Sequence, residues 1–293
     1  MRILVIGGSG LVGSHLVAEA AAHQHAVTGT YRNFPVPGLL PLDLADLDAT
    51  RRLLLQVQPD WVVHAAGWTW VDGCEGNPAR AHRENCEQPV QLAQLCQELG
   101  SRFAYVSTTY VFDGQSGPYR ETDQPNPINV YAKSKWAAEQ QIQSALGGRA
   151  LLPRVICVWG REAQGKNFVY QTLKALREGR TMRLPADQLG NPTWAGDIAA
   201  WLMGLMELGE SGVWNLAGDR EACTRVEWFC AIRDAARRQG LVPASINPGY
   251  ESVATAELKQ PALRPLHCGA RIQHIQARLP RVPRVPNDLA GLF

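Results

Sequence analysis

Residues 3–13 read ILVIGGSGLVG, an apolar run that passes directly into a glycine-rich turn. The glycines that matter stand at positions 7, 10 and 13, and a helical pattern follows over residues 11–22. Glycines at such positions allow a tight turn, a close approach of the backbone to a phosphate, and close packing of helix on strand. A phosphate would then lie at the positive N-terminus of the helix. The stretch predicts a strand–turn–helix unit that binds a nucleotide.

Short apolar runs alternate with helical patterns through the first half of the chain, and these runs lack the in–out alternation of a half-exposed strand. Such strands belong to parallel sheets that are covered by helices on both faces. We predict an α/β protein: a Rossmann-like doubly wound parallel sheet in residues 1–153, with a smaller C-terminal substrate-binding lobe in residues 154–293 that sends one segment back to the first domain. The predicted strands are 3–6, 26–31, 61–65, 102–107 and 151–158, and the predicted helices are 11–22, 48–57, 90–99, 131–146, 167–178, 195–208 and 225–239.

The composition argues against several classes of partner. The net charge is only +2, without a run of Lys or Arg, so neither nucleic acid nor a membrane surface is an expected partner. The seven cysteines are odd in number and form no Cys-x-x-Cys pair, which favours a reducing compartment. The N-terminus has no signal-peptide pattern and no stretch is apolar for long enough to span a bilayer. We expect a cytoplasmic protein.

The end of the second predicted strand indicates which dinucleotide is bound. An acidic residue there would hold the ribose 2′-hydroxyl of NAD, but this chain has Arg32, whose planar guanidinium suits a 2′-phosphate. NADPH is therefore the expected cofactor, with NADH as the alternative. Asp43, which precedes Leu44, is placed to bind the adenine amino group; alternatively, it caps the next helix.

Tyr131 and Lys135 stand one helical turn apart on one helix face. An ammonium beside a phenol is expected to lower the tyrosine pKa, which makes the phenol a usable proton donor to a ketone oxygen. Thr108 ends a predicted strand, and parallel sheets of this class place their sites at the carboxyl ends of strands. We expect Thr108 to face the same carbonyl oxygen. These three residues are the predicted catalytic set.

The segment from Ser107 to Gly114, followed by Tyr131 and Lys135, resembles the dTDP-4-dehydrorhamnose reductase family. So do Val71-Asp72 with Glu75, the segments 165–168 and 187–193, and Arg264-Pro265, so the resemblance extends over most of the chain. It implies NAD(P)H-dependent reduction of a 4-keto-6-deoxy sugar carried on a nucleotide diphosphate. In that reading Thr108 orients the ketone, Tyr131 protonates it, and Lys135 tunes Tyr131 and holds the nicotinamide ribose. The cofactor-binding residues it implies are Gly7, Gly10, Leu11, Val12, Gly13, Arg32, Asp43, Leu44, Ala65, Ala66, Gly67, Tyr131 and Lys135.

Three positions depart from the pattern of that family. Thr109 stands where the family usually has Asp, and Cys157 replaces an aromatic residue that commonly lines the sugar pocket. Both are expected to contact the substrate together with Thr108. His15 stands where an acidic residue often contributes to a metal site between subunits. Because His15, His64 and His82 form no ligand spacing with a cysteine or a carboxylate pair, no metal is expected. A homodimer remains one expected assembly.

Two other functions stay open at this level. A nucleotide-sugar epimerase uses the same Thr, Tyr and Lys, whereas a 4,6-dehydratase would need an acid–base pair after Thr108 that Thr109-Tyr110 does not offer. A regulatory subunit would bind NADP(H) without turnover, and the loss of Asp at position 109 suits such a role. His64, within a predicted buried strand, is expected to be a hydrogen-bonded core histidine.

Overall fold

The computed structural model describes residues 1–218, 222–243, 249–285, 288–289 and 292. Within them the strands are β1 (Arg2–Ile6), β2 (Ala26–Tyr31), β3 (Leu40–Pro41), β4 (Trp61–His64), β5 (Arg102–Tyr105), β6 (Ser107–Thr108), β7 (Leu151–Val155), β8 (Val158–Trp159), β9 (Met182–Pro185), β10 (Leu189–Gly190), β11 (Thr193–Trp194), β12 (Gly212–Leu216), β13 (Cys223–Thr224) and β14 (Tyr250–Val253). The α-helices are α1 (Leu11–Ala22), α2 (Leu47–Val57), α3 (Val71–Gly76), α4 (Pro78–His82), α5 (Gln88–Glu98), α6 (Val130–Ala145), α7 (Phe168–Arg177), α8 (Ala195–Glu207), α9 (Arg225–Arg238) and α10 (Gln273–Arg278). A π-helical segment, Arg83–Glu87, joins α4 to α5.

The main sheet is parallel, with the strand order β12-β7-β5-β4-β1-β2-β3 and with β6 also paired to β7. The order reverses at β1, because the chain moves outward through β2 on one side and through β4 on the other. Sheets of this kind bind ligands outside the carboxyl ends of their strands at such a reversal. The predicted Rossmann-like doubly wound sheet is confirmed.

Each central strand is buried on both faces. In β1, Ile3 and Val5 pack on the side of α1 and α8, whereas Leu4 and Ile6 pack on the side of α2, α5 and α6. All four side chains are at most 3% exposed. Burying an aliphatic side chain of this size stabilises the fold by about 1.5–3 kcal/mol. This two-sided burial explains why the strand is apolar throughout.

Part of the C-terminal half belongs to the main sheet. Strand β12 pairs with β7 from Gly212 opposite Leu151 to Leu216 opposite Val155, and α8 packs against α1. The short strands β8 to β11, β13 and β14 instead form small two-stranded pairs, and α7 and α9 pack around Trp159, Trp228 and Phe229 in a separate apolar cluster. The division of the chain at residue 153 stays a prediction.

Several elements differ from the prediction. The strand expected over residues 151–158 is interrupted after Val155, because Cys157 has a left-handed backbone (φ +47°) that no strand accommodates. The helices α3, α4 and α10 were not predicted, since they are only five or six residues long. Of the helices in the described part of the chain, none combines the length and the apolar character that crossing a membrane requires.

Candidate active site

The glycine turn between β1 and α1 leaves no room for side chains. Gly7 has φ +85°, and a Cβ on it would lie 2.9 Å from the Cα of Ala66. A Cβ on Gly13 would lie 2.1 Å from the carbonyl oxygen of Gly7. That oxygen accepts a hydrogen bond of 2.9 Å from the N–H of Gly10. Only glycine at positions 7 and 13 permits this turn.

The N-terminus of α1 is suited to an anion. Gly10 occupies the capping position and no side chain caps the helix, so the first N–H groups, from Leu11 onward, have no side-chain acceptor. Val12 is partly buried against the core of the sheet, and Gly13 is buried. Uncapped N–H groups at a helix N-terminus bind phosphate well. The structure thus brings the predicted turn residues together in one cradle.

The segment after β4 lies across this turn. Ala65 continues the strand by donating its N–H to the carbonyl of Ile6, and Gly67 has φ +153°. The side chain of Asn85 fixes the segment: its Oδ1 accepts from the N–H of Trp68 at 2.8 Å and its Nδ2 donates to the carbonyl of Trp68 at 3.1 Å. Nδ2 also lies 3.2 Å from Ser134 Oγ on α6. Sequence reasoning missed Asn85, since a lone Asn in a helical segment carries no signal.

Arg32 lies at the end of β2, where it was predicted to bind a 2′-phosphate. Its Nη2 is 3.1 Å from Glu84 Oε2, and Glu84 also accepts from Arg80 Nε at 2.8 Å. Burial opposes ionisation of this carboxyl, but the two arginines still hold the pKa of Glu84 below its usual value. The Arg32 side chain is 37% exposed, so it is accessible to a ligand. Its role toward the cofactor stays a prediction.

Asp43 and Leu44 precede α2. Asp43 is exposed and its Oδ1 accepts from the N–H of Ala45 at 3.0 Å, whereas Leu44 is buried. The alternative that Asp43 caps the helix is wrong, because Asp46 is the capping residue and accepts from the N–H of Ala49 at 2.8 Å. Adenine binding by Asp43 stays a prediction.

The helix that carries Tyr131 and Lys135 is fixed at its start from two directions. The Asn129 Oδ1 caps α6 by accepting from the N–H of Ala132 at 2.8 Å. The N–H of Val130 donates to Glu75 Oε2 on α3 at 3.0 Å. Each N-terminal cap of this kind contributes about 1 kcal/mol. The two contacts hold the first turn, and with it Tyr131, in one orientation.

Tyr131 and Thr108 face each other at the carboxyl end of β6. Both side chains are buried, and Thr108 Oγ1 accepts from the N–H of Tyr110 at 3.2 Å. Burial raises the pKa of Tyr131 well above its usual value, and the neighbouring Thr108 hydroxyl lowers it in part. The expectation that this pKa is lowered is wrong, since burial dominates it and the Lys135 ammonium donates to the carbonyl of Val106. Tyr131 is therefore held as the neutral phenol, which is the form that donates a proton.

Lys135 lies beside the carboxyl end of β5 and is 4% exposed. Its Nζ donates to the carbonyl of Val106 at 2.8 Å and lies 3.8 Å from the ring centroid of Tyr105. Burial lowers the pKa of Lys135 to about 7, although Glu139 one turn further along α6 raises it. The amine thus exchanges its proton near neutral pH, as acid–base groups in active sites do.

A buried polar triad joins the strand of Thr108 to the helix of Tyr131. Ser107 Oγ donates a short hydrogen bond to Glu139 Oε1. Arg154 on β7 donates to the same carboxylate through Nε and Nη2, the latter at 2.7 Å. Ser107 and Arg154 are also register partners between β6 and β7. The triad therefore connects α6, β6 and β7 close to the predicted catalytic residues.

Thr109 and Cys157 were predicted to contact the substrate. The Thr109 side chain is fully buried and its Oγ1 has no partner among the described residues. Cys157 is half-buried, and its Sγ would lie 2.7 Å from a Cβ placed on Gly190. Substrate contact stays a prediction for both residues. Cys157 is the more accessible of the two, because Thr109 is fully buried.

His64 ends β4 and is 1% exposed. The expectation of a hydrogen-bonded core histidine is wrong, because neither ring nitrogen has a partner among the described residues. Burial, with a smaller effect of Lys135, lowers the pKa of His64 to about 3, so the ring is neutral. It packs beside Tyr105, with ring centroids 5.5 Å apart.

Two arginines lie near Tyr110, which packs against Tyr131. Arg225 begins α9, and its guanidinium lies over the rings of Phe168 and Trp228, at 5.0 and 5.1 Å. Arg264 Nη2 is 2.8 Å from Asp72 Oδ2, which fastens the C-terminal segment onto α3. The charges of both arginines reach Tyr110, whose ring packs edge-on against that of Tyr131 at 6.4 Å. Sequence reasoning gave Arg225 no role, since it lies 94 positions from Tyr131.

Known proteins are similar to this chain over most of its length. A probable low-salt glycan biosynthesis reductase of Haloferax volcanii is 31% identical over 301 residues, covering 100% of this chain and 97% of the relative. A dTDP-4-dehydrorhamnose reductase of Streptomyces griseus is 33% identical over 90% of this chain and 83% of its own length.

Solved structures share the fold over almost the whole chain. A hypothetical dTDP-4-dehydrorhamnose reductase from Sulfolobus tokodaii superposes with a TM-score of 0.83 at 28% identity, over 95% of both chains. The dTDP-4-dehydrorhamnose reductase of Bacillus anthracis, solved in complex with NADP, gives 0.86 at 23% identity over 98% of this chain and 95% of that one. The sequence model described as the RmlD substrate binding domain matches residues 1–285. This chain belongs to the RmlD substrate binding domain family.

Proposed function

We propose that this protein reduces the 4-keto group of a nucleotide-linked deoxysugar with NADPH. One observation carries the proposal: Thr108, Tyr131 and Lys135 converge at the carboxyl ends of the strands, on the side of the sheet where the glycine turn lies. The names of the relatives support the same reaction, since two are reductases of sugar or glycan pathways.

The residues of the turn fit a dinucleotide. Side chains at Gly7 and Gly13 would fill the space at the N-terminus of α1, and their absence leaves uncapped N–H groups for a diphosphate. Ala66 borders the same cradle, and we assign Lys135 to the nicotinamide ribose. When bound, the reduced nicotinamide supplies the hydride. NADPH is preferred in this proposal because Arg32 replaces the acidic residue at the end of β2.

The chain's own residues supply the proton and the alignment. Tyr131 donates its phenolic proton to the ketone oxygen as that oxygen gains negative charge, and Thr108 binds the same oxygen through its hydroxyl. Lys135 then returns a proton to Tyr131, since its pKa of about 7 allows exchange with solvent near neutrality. A positioned general acid contributes about 10²–10⁴-fold to the rate.

The positive charge of Arg225 near Tyr110 suits a substrate that carries phosphates. Arg225, which lies over the rings of Phe168 and Trp228, is a cation that a nucleotide diphosphate would neutralise. Asp113 and Asp72 are engaged with Tyr119 and Arg264, so neither carboxylate faces the substrate alone. This supports an anionic, nucleotide-linked sugar over a neutral one.

The test is NADPH oxidation, followed at 340 nm, with a panel of dTDP- and UDP-linked 4-keto-6-deoxy sugars. We expect turnover with at least one dTDP-linked sugar and a loss of at least about 100-fold in kcat for Tyr131→Phe, which should still bind NADPH. Tight NADPH binding without turnover on any sugar would favour a regulatory binder. Interconversion of sugar epimers without net NADPH consumption would favour an epimerase.

The compartment and the assembly belong to the same proposal. We place the protein in the cytoplasm, since all seven cysteines are free thiols and a nucleotide sugar is made there. A homodimer is the assembly we propose, to be checked by light scattering of the purified protein.

A further inference from the structure

Three potential metal ligands lie close together at the amino-terminal ends of the strands, far from Thr108, Tyr131 and Lys135. The side chains are those of His23 and His25, at the corner between α1 and β2, and of Glu207, at the end of α8. One ligand atom of each lies within 4.8 Å of the others. Since α1 has 12 residues and rises about 1.5 Å per residue, the cluster lies about 18 Å along the helix from the glycine turn.

Both imidazoles converge on one oxygen atom. Glu207 Oε1 lies 3.0 Å from His23 Nδ1 and 2.9 Å from His25 Nε2. The backbone sets this convergence: Gln24 between the histidines has a left-handed φ of +59°, and the N–H of His25 donates to the carbonyl of Ala20 at 2.9 Å. The rings are therefore aimed by an ordered corner rather than by a flexible loop.

The far side of each ring is also held. His23 Nε2 lies 3.5 Å from Glu19 Oε1, and His25 Nδ1 lies 3.2 Å from the amino group of Met1. Metal-binding histidines are commonly oriented by a carboxylate that accepts from the ring nitrogen that does not bind the metal, and Glu19 is placed to do this for His23. The His25 side chain is only 15% exposed, whereas His23 and Glu207 remain accessible at 42% and 38%.

The charge of the cluster favours a cation. With neutral imidazoles, Glu19 and Glu207 bring two negative charges against the one positive charge of the Met1 amino group. Glu207 also lies in the last turn of α8, where the helix dipole is negative.

We propose that His23, His25 and Glu207 form a zinc site that clips the α1–β2 corner to the end of α8. Two imidazoles and one carboxylate are a common zinc ligand set, with water in the fourth position. Ligand atoms at about 2.0–2.1 Å from a tetrahedral zinc ion lie about 3.3 Å from one another. Small rotations of the three side chains would therefore bring their ligand atoms to the spacing that zinc requires. The clip joins the first helix to a segment more than 180 positions later, and binding stabilises the folded state by mass action.

The experiment uses the full chain without a histidine tag, stripped with EDTA and titrated calorimetrically with zinc chloride. We expect one zinc per chain, a higher Tm with zinc and no effect of Mg²⁺, which prefers oxygen ligands. His25→Gln and Glu207→Gln should each weaken zinc binding by at least about 100-fold, and Glu19→Gln by about 10–100-fold. His82→Gln is the matched control, because His82 is an exposed histidine paired with a glutamate elsewhere.

Zinc that binds equally well to His25→Gln and to the wild type would overturn the proposal, as would no uptake by the wild type. If zinc binds to the His25→Gln variant, partly exposed thiols such as that of Cys230 are the competing ligands. If the variants do not fold, anomalous scattering at the zinc edge from wild-type crystals decides. A peak between the two histidines and Glu207 supports the site, and a peak only at cysteines contradicts it.

Discussion

Arg154 and Glu139 form an ion pair in which both side chains are buried, with Arg154 Nη2 2.7 Å from Glu139 Oε2. The pair connects the strand beside Thr108 to the helix of Tyr131. Removing one partner leaves an uncompensated buried charge, which typically costs about 3–5 kcal/mol. We expect Glu139→Gln to lower the free energy of unfolding in urea by about that amount.

An exposed pair provides the control for that measurement. Arg51 and Glu98 also lie 2.7 Å apart, but their side chains are 45% and 55% exposed. Glu98→Gln should therefore change the free energy of unfolding by about 1 kcal/mol at most. Equal effects of the two substitutions would show that the Glu139 carboxylate is not structurally coupled to its neighbours.

A methyl group at Gly13 should disturb the dinucleotide cradle. Its Cβ would meet the carbonyl oxygen of Gly7 at 2.1 Å, so the turn must open. We expect Gly13→Ala to lose stability by about 1–3 kcal/mol and to bind NADPH at least tenfold more weakly by fluorescence titration. Gly76→Ala is the matched control, since a Cβ there meets nothing within 4 Å. Unchanged NADPH affinity in Gly13→Ala would argue against binding at this turn.

Arg32 should set the preference for NADPH over NADH. A charge-assisted hydrogen bond contributes about 1.5–3 kcal/mol, so Arg32→Ala should raise KM for NADPH about 10- to 100-fold and leave KM for NADH nearly unchanged. Glu84→Gln frees Arg32 from its ion pair and should lower KM for NADPH. Parallel changes in KM for both cofactors in Arg32→Ala would assign the 2′-phosphate to another residue.

Lys135 should make stability depend on pH. Its pKa is about 7 in the folded protein against 10.5 for a free lysine side chain, so between these pH values the unfolded chain binds a proton that the folded chain does not. The contribution of Lys135 to the free energy of unfolding therefore rises with pH across this window. Urea unfolding at pH 7 and pH 9 should show a larger gain for the wild type than for Lys135→Met. The same change with pH in both proteins would mean that Lys135 is not a buried, titrating amine.

The part of the fold that follows local rules was predictable from the sequence. The glycine turn and the strands that are buried on both faces show short-range patterns in the sequence. The Rossmann-like sheet could therefore be predicted from residues 3–13 and from the alternation of strands and helices that follows. Thr108, Tyr131 and Lys135 could be chosen for the same reason, since each is defined by its position at a strand end or one helical turn from a neighbour.

Features that depend on distant residues were missed. The approach of Glu207 to His23 and His25 spans more than 180 positions, and no local spacing encodes it. The interruption of β7 at Cys157 depends on one left-handed residue that is not glycine. The pKa of Tyr131 depends on its burial, which the one-turn spacing from Lys135 does not reveal.

The central claim is that this chain transfers a hydride to a sugar carbon and a proton from Tyr131 to its oxygen. The most direct measurement uses NADPH carrying deuterium at C4 of the nicotinamide and a dTDP-4-keto-6-deoxy sugar, with the product analysed by mass spectrometry and NMR. We predict one deuterium on C4 of the sugar for each cofactor oxidised, and transfer at least about 100-fold slower with Tyr131→Phe. Cofactor oxidation without deuterium in the sugar, or transfer by Tyr131→Phe at the wild-type rate, would contradict the account.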